Sequence, residues 1–118
     1  MIPADLAEFE KSAAAAARLL KAMAHDSRLL VLCQLVDGEL QAGQFASRLS
    51  QSALSQHLAV LRAEGLVVTR REGQAIVYRL ANPAVTAVIT TLASIYCPPS
   101  NVPAEHAETD LVENLVTF

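Results

Sequence analysis

Between Ser50 and Leu80 the hydrophobic period changes from that of a helix to that of a strand, and this change constrains the fold more than any other feature of the chain. Leu54, Leu58 and Leu61 stand at i, i+4 and i+7 in a segment running from Gln51 to Glu64, with Ser50 placed to cap it and Gly65 to stop it. Gln51, Ser52, Ser55, Gln56 and Arg62 fall outside that stripe. A narrow apolar spine with a short polar outer face suits a helix that packs on a core and lies in a groove. Leu66–Arg71 and Ala75–Leu80 then read as two strands joined by Glu72-Gly73-Gln74, a tight hairpin in which the glycine takes the positive φ.

Helical patterns flank this unit. Leu6 to Met23 is Ala-rich and free of Gly and Pro, which predicts a long first helix. A second helix is expected from an Asp26 cap to Val36; it is apolar nearly all round, as a helix buried at the centre of the fold would be. A short third helix is expected over Gln41–Leu49, so the Gln51–Glu64 helix is the fourth. The fifth opens at Asn82-Pro83 and carries Val85, Val88, Ile89, Leu92, Ile95 and Tyr96 at helical spacing, until Pro98-Pro99 ends it. The expected fold is therefore mainly α with a small β-hairpin. Residues 1–99 form one domain and residues 100–118 an acidic tail, with a short helix expected at Leu111–Leu115.

At 118 residues the chain is one domain. Apolar residues make up 53% but aromatics only 4%, so Ala, Leu and Val must build a core of closely packed helices. That much apolar surface is hard to hide in a small monomer, and a permanent dimer is a natural outlet. The charge is uneven: residues 1–40, 41–80 and 81–118 carry net −2, +3 and −4. The basic middle third is where a nucleic-acid surface is expected, although solvated surface charge explains it as well. No apolar run reaches the roughly 18 residues of a membrane span, and the acidic N-terminus lacks the basic start of a secretory signal, so a cytoplasmic location is expected. No Gly-rich phosphate loop, carboxylate pair or Ser/His/Asp arrangement suggests an enzyme.

The order of four helices, a hairpin and a closing helix is that of a winged helix-turn-helix. Three stretches carry a resemblance to the ArsR/SmtB family of dimeric bacterial repressors: Lys21-Ala-Met-Ala-His-Asp-Ser-Arg-Leu, Leu49-Ser-Gln-Ser-Ala-Leu-Ser-Gln-His-Leu-Ala-Val-Leu-Arg and Gly65-Leu-Val-Val-Thr-Arg-Arg-Glu-Gly-Gln-Ala-Ile-Val-Tyr. The second is the most specific, and the likeness runs from about Leu19 to Pro98. In one respect the chain departs from the family. Leu49 abuts Ser50, where members of the family place two more residues. A helix-turn-helix needs a turn of about three to four residues, so either the third helix unwinds early or the sequence lacks residues there.

The resemblance implies that the helix from Ser50 to Glu64 enters the major groove of double-stranded DNA, with Gln51, Ser52, Ser55, Gln56, His57 and Arg62 toward it. Glutamine can bond adenine bidentately, and serine and histidine can reach base edges or phosphates. Arg70 and Arg71 beside Gly73 suit a wing that grips phosphate or the minor groove, though Glu72 is an equally good partner for either. The resemblance assigns dimerisation to the first and last helices, here through Leu19, Val85, Val88, Ile89, Leu92, Ile95 and Tyr96, and hence a homodimer on a palindromic operator. The same stripe can instead pack on its own domain.

Neither metal nor cofactor is expected, because Gln41–Leu49 holds no Cys, Asn82–Cys97 holds no His, Asp or Glu, and His25, His57 and His106 are scattered. A cysteine among Leu and Val is commonly inert filler. Leu30-Val-Leu-Cys33-Gln-Leu and Ile95-Tyr-Cys97-Pro nevertheless resemble the sulfide- and persulfide-responsive SqrR/BigR/HlyU branch of the family. That likeness implies a dithiol switch: reduced protein represses, and a reactive sulfur species or oxidant bridges Cys33 and Cys97 and releases DNA. A direct disulfide needs Cα atoms within about 7 Å, whereas added sulfur atoms span a wider gap. Two alternatives stay open: a repressor of this fold with a metal, a metalloid or no inducer, and a winged-helix module for protein contacts that uses its acidic tail.

Overall fold

The structure, a computed structural model, describes residues 5–97; the tail at 100–118 and the helix expected at Leu111–Leu115 lie outside them. Helix α1 (Leu6–Met23) starts where the Asp5 carboxylate accepts the Ala7 N–H at 3.0 Å. Helix α2 (Asp26–Val36) is capped by His25 rather than by the expected Asp26. His25 Nδ1 and Asp26 Oδ1 both accept the Ser27 N–H, at 3.1 and 2.9 Å. Strand β1 (Leu40–Gln41) follows, then α3 (Gln51–Ala63), β2 (Val67–Glu72), β3 (Ala75–Leu80) and α4 (Pro83–Tyr96). The sheet is antiparallel in the order β1-β3-β2.

The helix expected over Gln41–Leu49 does not form, so the described residues hold four helices rather than five. Gln41 is taken into the sheet opposite Val77, and Ala42–Gln44 makes a single 3-10 turn in which Gln44 Oε1 accepts the Gln41 N–H at 2.7 Å. Ala46 is held by the side chain of Gln34, which accepts its N–H at 2.8 Å and donates to its carbonyl at 3.0 Å. The Leu49 N–H is taken by Ser47 Oγ at 3.0 Å. With Leu49 abutting the cap of α3, a helix carried to Leu49 would leave no residues to turn the chain. Side-chain hydrogen bonds satisfy this backbone in place of helical ones.

Helix α3 begins with Ser50 Oγ accepting the Ala53 N–H at 3.1 Å. It ends in a Schellman arrangement, Leu66 N–H to Leu61 O at 2.9 Å and Gly65 N–H to Arg62 O at 3.1 Å, with Gly65 at φ +79°. The hairpin turns at Gly73, which takes φ +62° while Gln74 keeps a negative φ, the sign pattern of a type II′ turn. Helix α4 opens with Asn82 Oδ1 accepting the Ala84 N–H at 2.9 Å. The core gathers Met23, Val31, Leu32, Leu35, Phe45, Leu54, Leu58, Leu61, Leu66, Val67, Val85 and Ile89. The expectation of a wholly buried α2 is corrected by Leu30 and Cys33, which lie on an exposed flank.

Candidate nucleic-acid interface and thiol pair

Burial of Leu54, Leu58 and Leu61 rotates Gln51, Ser52, Ser55, Gln56 and Arg62 to the outside of α3, where all five are exposed. His57 parts from this group. It borders the buried stripe, is half-buried, and turns toward the corner between α1 and α2. Its Nδ1 accepts from Arg28 Nε at 3.2 Å, and its ring lies 4.4 Å from that of His25. Burial, and after it the nearby His25 and Arg28, hold its pKa below the ordinary histidine value, with Asp26 opposing. His57, expected at the DNA, is thus half-buried against Arg28 and His25 in the protomer. At the far end of α3, Arg18 of α1 grips Glu64 through Nε–Oε1 at 2.7 Å and a second bond at 3.3 Å. That pairing pulls Glu64 below the usual carboxylate range.

The two wing arginines also differ. Arg70 donates to both Glu39 and Glu72, the Nε bond to Glu72 being 2.8 Å, so its guanidinium is already committed. The hydrogen bond from Arg70 lowers the pKa of Glu39. The strand register sets Arg70 opposite Val77 and Arg71 opposite Ile76, so the two side chains leave opposite faces of the hairpin. Arg71 is exposed beside the turn and makes no ion pair among the described residues. The spacing of two along the strand puts Glu72 on the face of Arg70 and not of Arg71, a signal the sequence carried, whereas Glu39 lies 31 residues from Arg70.

The stripe on α4 is divided. Val85 and Ile89, at 0% and 3% exposure, lie in the core of their own chain and have no surface for a second copy. Leu19, Val88 and Leu92 are half-buried, while Ile95 and Tyr96 are exposed. Helix α1 adds Leu6, Phe9 and Leu20, which are also exposed. A sequence signal for these existed: Leu6, Phe9, Ala13, Ala16 and Leu20 follow the alternating three-and-four spacing of a helix seam.

Cys33 on α2 and Cys97 at the end of α4 are free and exposed. The Cys97 N–H donates to Ala93 O at 2.8 Å, which keeps the residue on the helix axis. Partial burial, and after it the nearby Cys97, push the Cys33 thiol up, and the helices that carry the two cysteines pack on each other. Among the described residues, no group of three or more His, Cys, Asp or Glu is arranged to hold a metal, and no helix is long and apolar enough to cross a membrane.

The family profile described as "Bacterial regulatory protein, arsR family" matches residues 25–69. The transcriptional activator HlyU of Vibrio cholerae is 54% identical over 97 residues, covering 80% of this chain and 90% of that protein. A biofilm growth-associated repressor of Agrobacterium fabrum is 42% identical over 104 residues, with 82% and 89% covered. Among solved structures, reduced HlyU from Vibrio cholerae aligns with a TM-score of 0.72 at 54% identity, over 76% of this chain and 97% of that one. The transcriptional repressor BigR from Xylella fastidiosa aligns at 0.71 and 38% identity, over 79% and 97%.

Proposed function

The chain belongs to the arsR family of bacterial regulatory proteins, and we propose that it is a homodimeric repressor that holds a palindromic operator while reduced and releases it when Cys33 and Cys97 are bridged. It is a winged-helix transcriptional regulator, not an enzyme. The observation that carries the proposal is that two free, exposed cysteines stand on α2 and at the end of α4, helices that pack on each other, while α3 packs on the same α2. Gln51, Ser52, Ser55 and Gln56 read base edges, while Arg62 and Arg71 hold phosphates or the minor groove. Leu6, Phe9, Leu20, Ile95 and Tyr96 cover one another across a two-fold axis. A shallow apolar groove lined by Leu20, Met23, Leu29, Val88 and Leu92 receives side chains of the second copy. The protein works in the cytoplasm, where thiols are kept reduced.

The switch runs by thiol exchange. One thiolate takes the outer sulfur of an organic persulfide and releases the parent thiol. The second thiolate attacks the Sγ of the persulfidated cysteine and expels hydrosulfide, which leaves a disulfide. If another sulfur is first transferred, attack on the inner added sulfur again expels hydrosulfide and leaves a trisulfide. Either bridge ties α2 to the end of α4 and changes the spacing of the two α3 helices on DNA.

The test is fluorescence anisotropy of a duplex that the reduced protein selects from a random pool, at fixed salt. Glutathione persulfide raises the dissociation constant by about tenfold or more, the usual range of allosteric coupling. Cys33→Ser and Cys97→Ser bind like the parent and do not respond; release in either variant contradicts the switch.

A further inference from the structure

At the corner where α1, α2 and α3 meet, two imidazoles and a guanidinium form a chain of contacts that DNA recognition does not use. Arg28 Nη1 donates to the carbonyl of Ala22 near the end of α1 at 3.2 Å, and its Nε donates to His57 Nδ1 on α3, also at 3.2 Å. The His57 ring lies 4.4 Å from that of His25, tilted by 48°, and the Nδ1 of His25 accepts the Ser27 N–H. We infer that His57 is a pH-dependent latch: neutral, it fastens α3 to the α1–α2 corner through Arg28, and protonated, it lets go and weakens operator binding. The inference rests on the DNA-binding reading above.

The chemistry follows from which atoms accept. A nitrogen that accepts a hydrogen bond carries no proton, so His57 is neutral with its proton on Nε2. Protonation at Nδ1 turns the acceptor into a donor aimed at a guanidinium, and the Arg28 hydrogen bond is lost. The new imidazolium then faces Arg28 at hydrogen-bonding distance and His25 across the ring contact. Among the described residues, the carboxylate acting on the site is that of Asp26, and its oxygen lies 3.3 Å from His25 Nδ1, on the far side of the ring pair from Arg28. Arg28 cannot retreat without giving up Ala22 O. Breaking the latch leaves α3 held by its leucine spine and by the Arg18–Glu64 pair at its other end.

The sign agrees. The fold favours neutral His57, so the unfolded chain binds the proton more readily. The latch is complete above the ordinary histidine pKa of about 6.5 and is lost as the pH falls through the lower value that His57 has in the folded chain.

Two measurements on the full, reduced chain test this. In the first, nitrogen NMR of the histidine side chains follows each imidazole from pH 8 to 5. His57 is expected as the Nε2–H tautomer at pH 8, titrating below the ordinary range. A protonated Nδ1 at pH 8, or a midpoint above that range, overturns the latch. In the second, anisotropy with the pool-selected duplex compares the parent with His57→Gln, which keeps an acceptor but does not titrate. Between pH 7.5 and 5.5 the parent is expected to lose about fivefold more affinity than His57→Gln, the order of one hydrogen bond. Parallel curves overturn the latch and leave the repressor reading intact. If no selected duplex binds at any pH, the repressor reading fails, and the NMR titration alone decides the latch.

Discussion

Replacing Ile95 by serine tests the two-fold assembly at the place where the protomer gives the clearest number. Ile95 is 61% exposed on α4, so most of its surface is free for a second copy. Burying a whole isoleucine side chain is worth about 1.5–3 kcal/mol, and covering the exposed 61% of it is worth about 1–2 kcal/mol. Two-fold symmetry counts the loss twice, about 2–4 kcal/mol per dimer, or roughly 30- to 800-fold in the dimer dissociation constant. Mass photometry or sedimentation over nanomolar to micromolar concentrations reads this directly. Circular dichroism should show unchanged helix content, because Ile95 lies outside the protomer core. Operator affinity should fall in step with dimerisation. A variant that dimerises within twofold of the parent would refute the assignment of α4 to the interface.

Three further outcomes are expected. Arg71→Gln lowers the salt dependence of DNA binding by about two units of slope, one for each protomer of the dimer, whereas Arg70→Gln leaves the slope unchanged because Glu39 and Glu72 already hold that guanidinium; equal losses would reverse the assignment. Cys97→Ser moves the pH midpoint of Cys33 alkylation down, but not to the ordinary value, because burial remains the larger cause of the elevation; an unmoved midpoint would show that the thiols do not interact. Gln34→Ala removes both bonds to the Ala46 backbone and costs about 1–3 kcal/mol of stability in urea, with increased amide exchange at Ala46; an unchanged midpoint would show that other groups hold the segment.

The features that local chemistry decides were legible in the chain. Ser50 and Asn82 cap the helices they were expected to cap, the leucine spine of α3 is buried, and Gly73 turns the hairpin. The expected helix at Gln41–Leu49 failed because its backbone partner is the Gln34 side chain, 12 residues from Ala46, and because the turn before Ser50 needs residues the helix would have used. His57 and Arg70 were expected at the DNA for the same kind of reason. Each has the right chemistry at the right spacing, yet Arg28 lies 29 residues from His57 and Glu39 lies 31 from Arg70. The stripe on α4 is a single pattern in sequence, but its first half meets the core and its end does not, because the body of the protomer stops short of Ile95.

The most direct test of the thiol switch is intact mass after alkylation, on reduced protein treated separately with an organic persulfide and with hydrogen peroxide. The expected persulfide product resists alkylation at both Cys33 and Cys97 and has lost two hydrogens, with or without a gained sulfur atom in the bridge. Both thiols alkylating fully in every sample would contradict the switch.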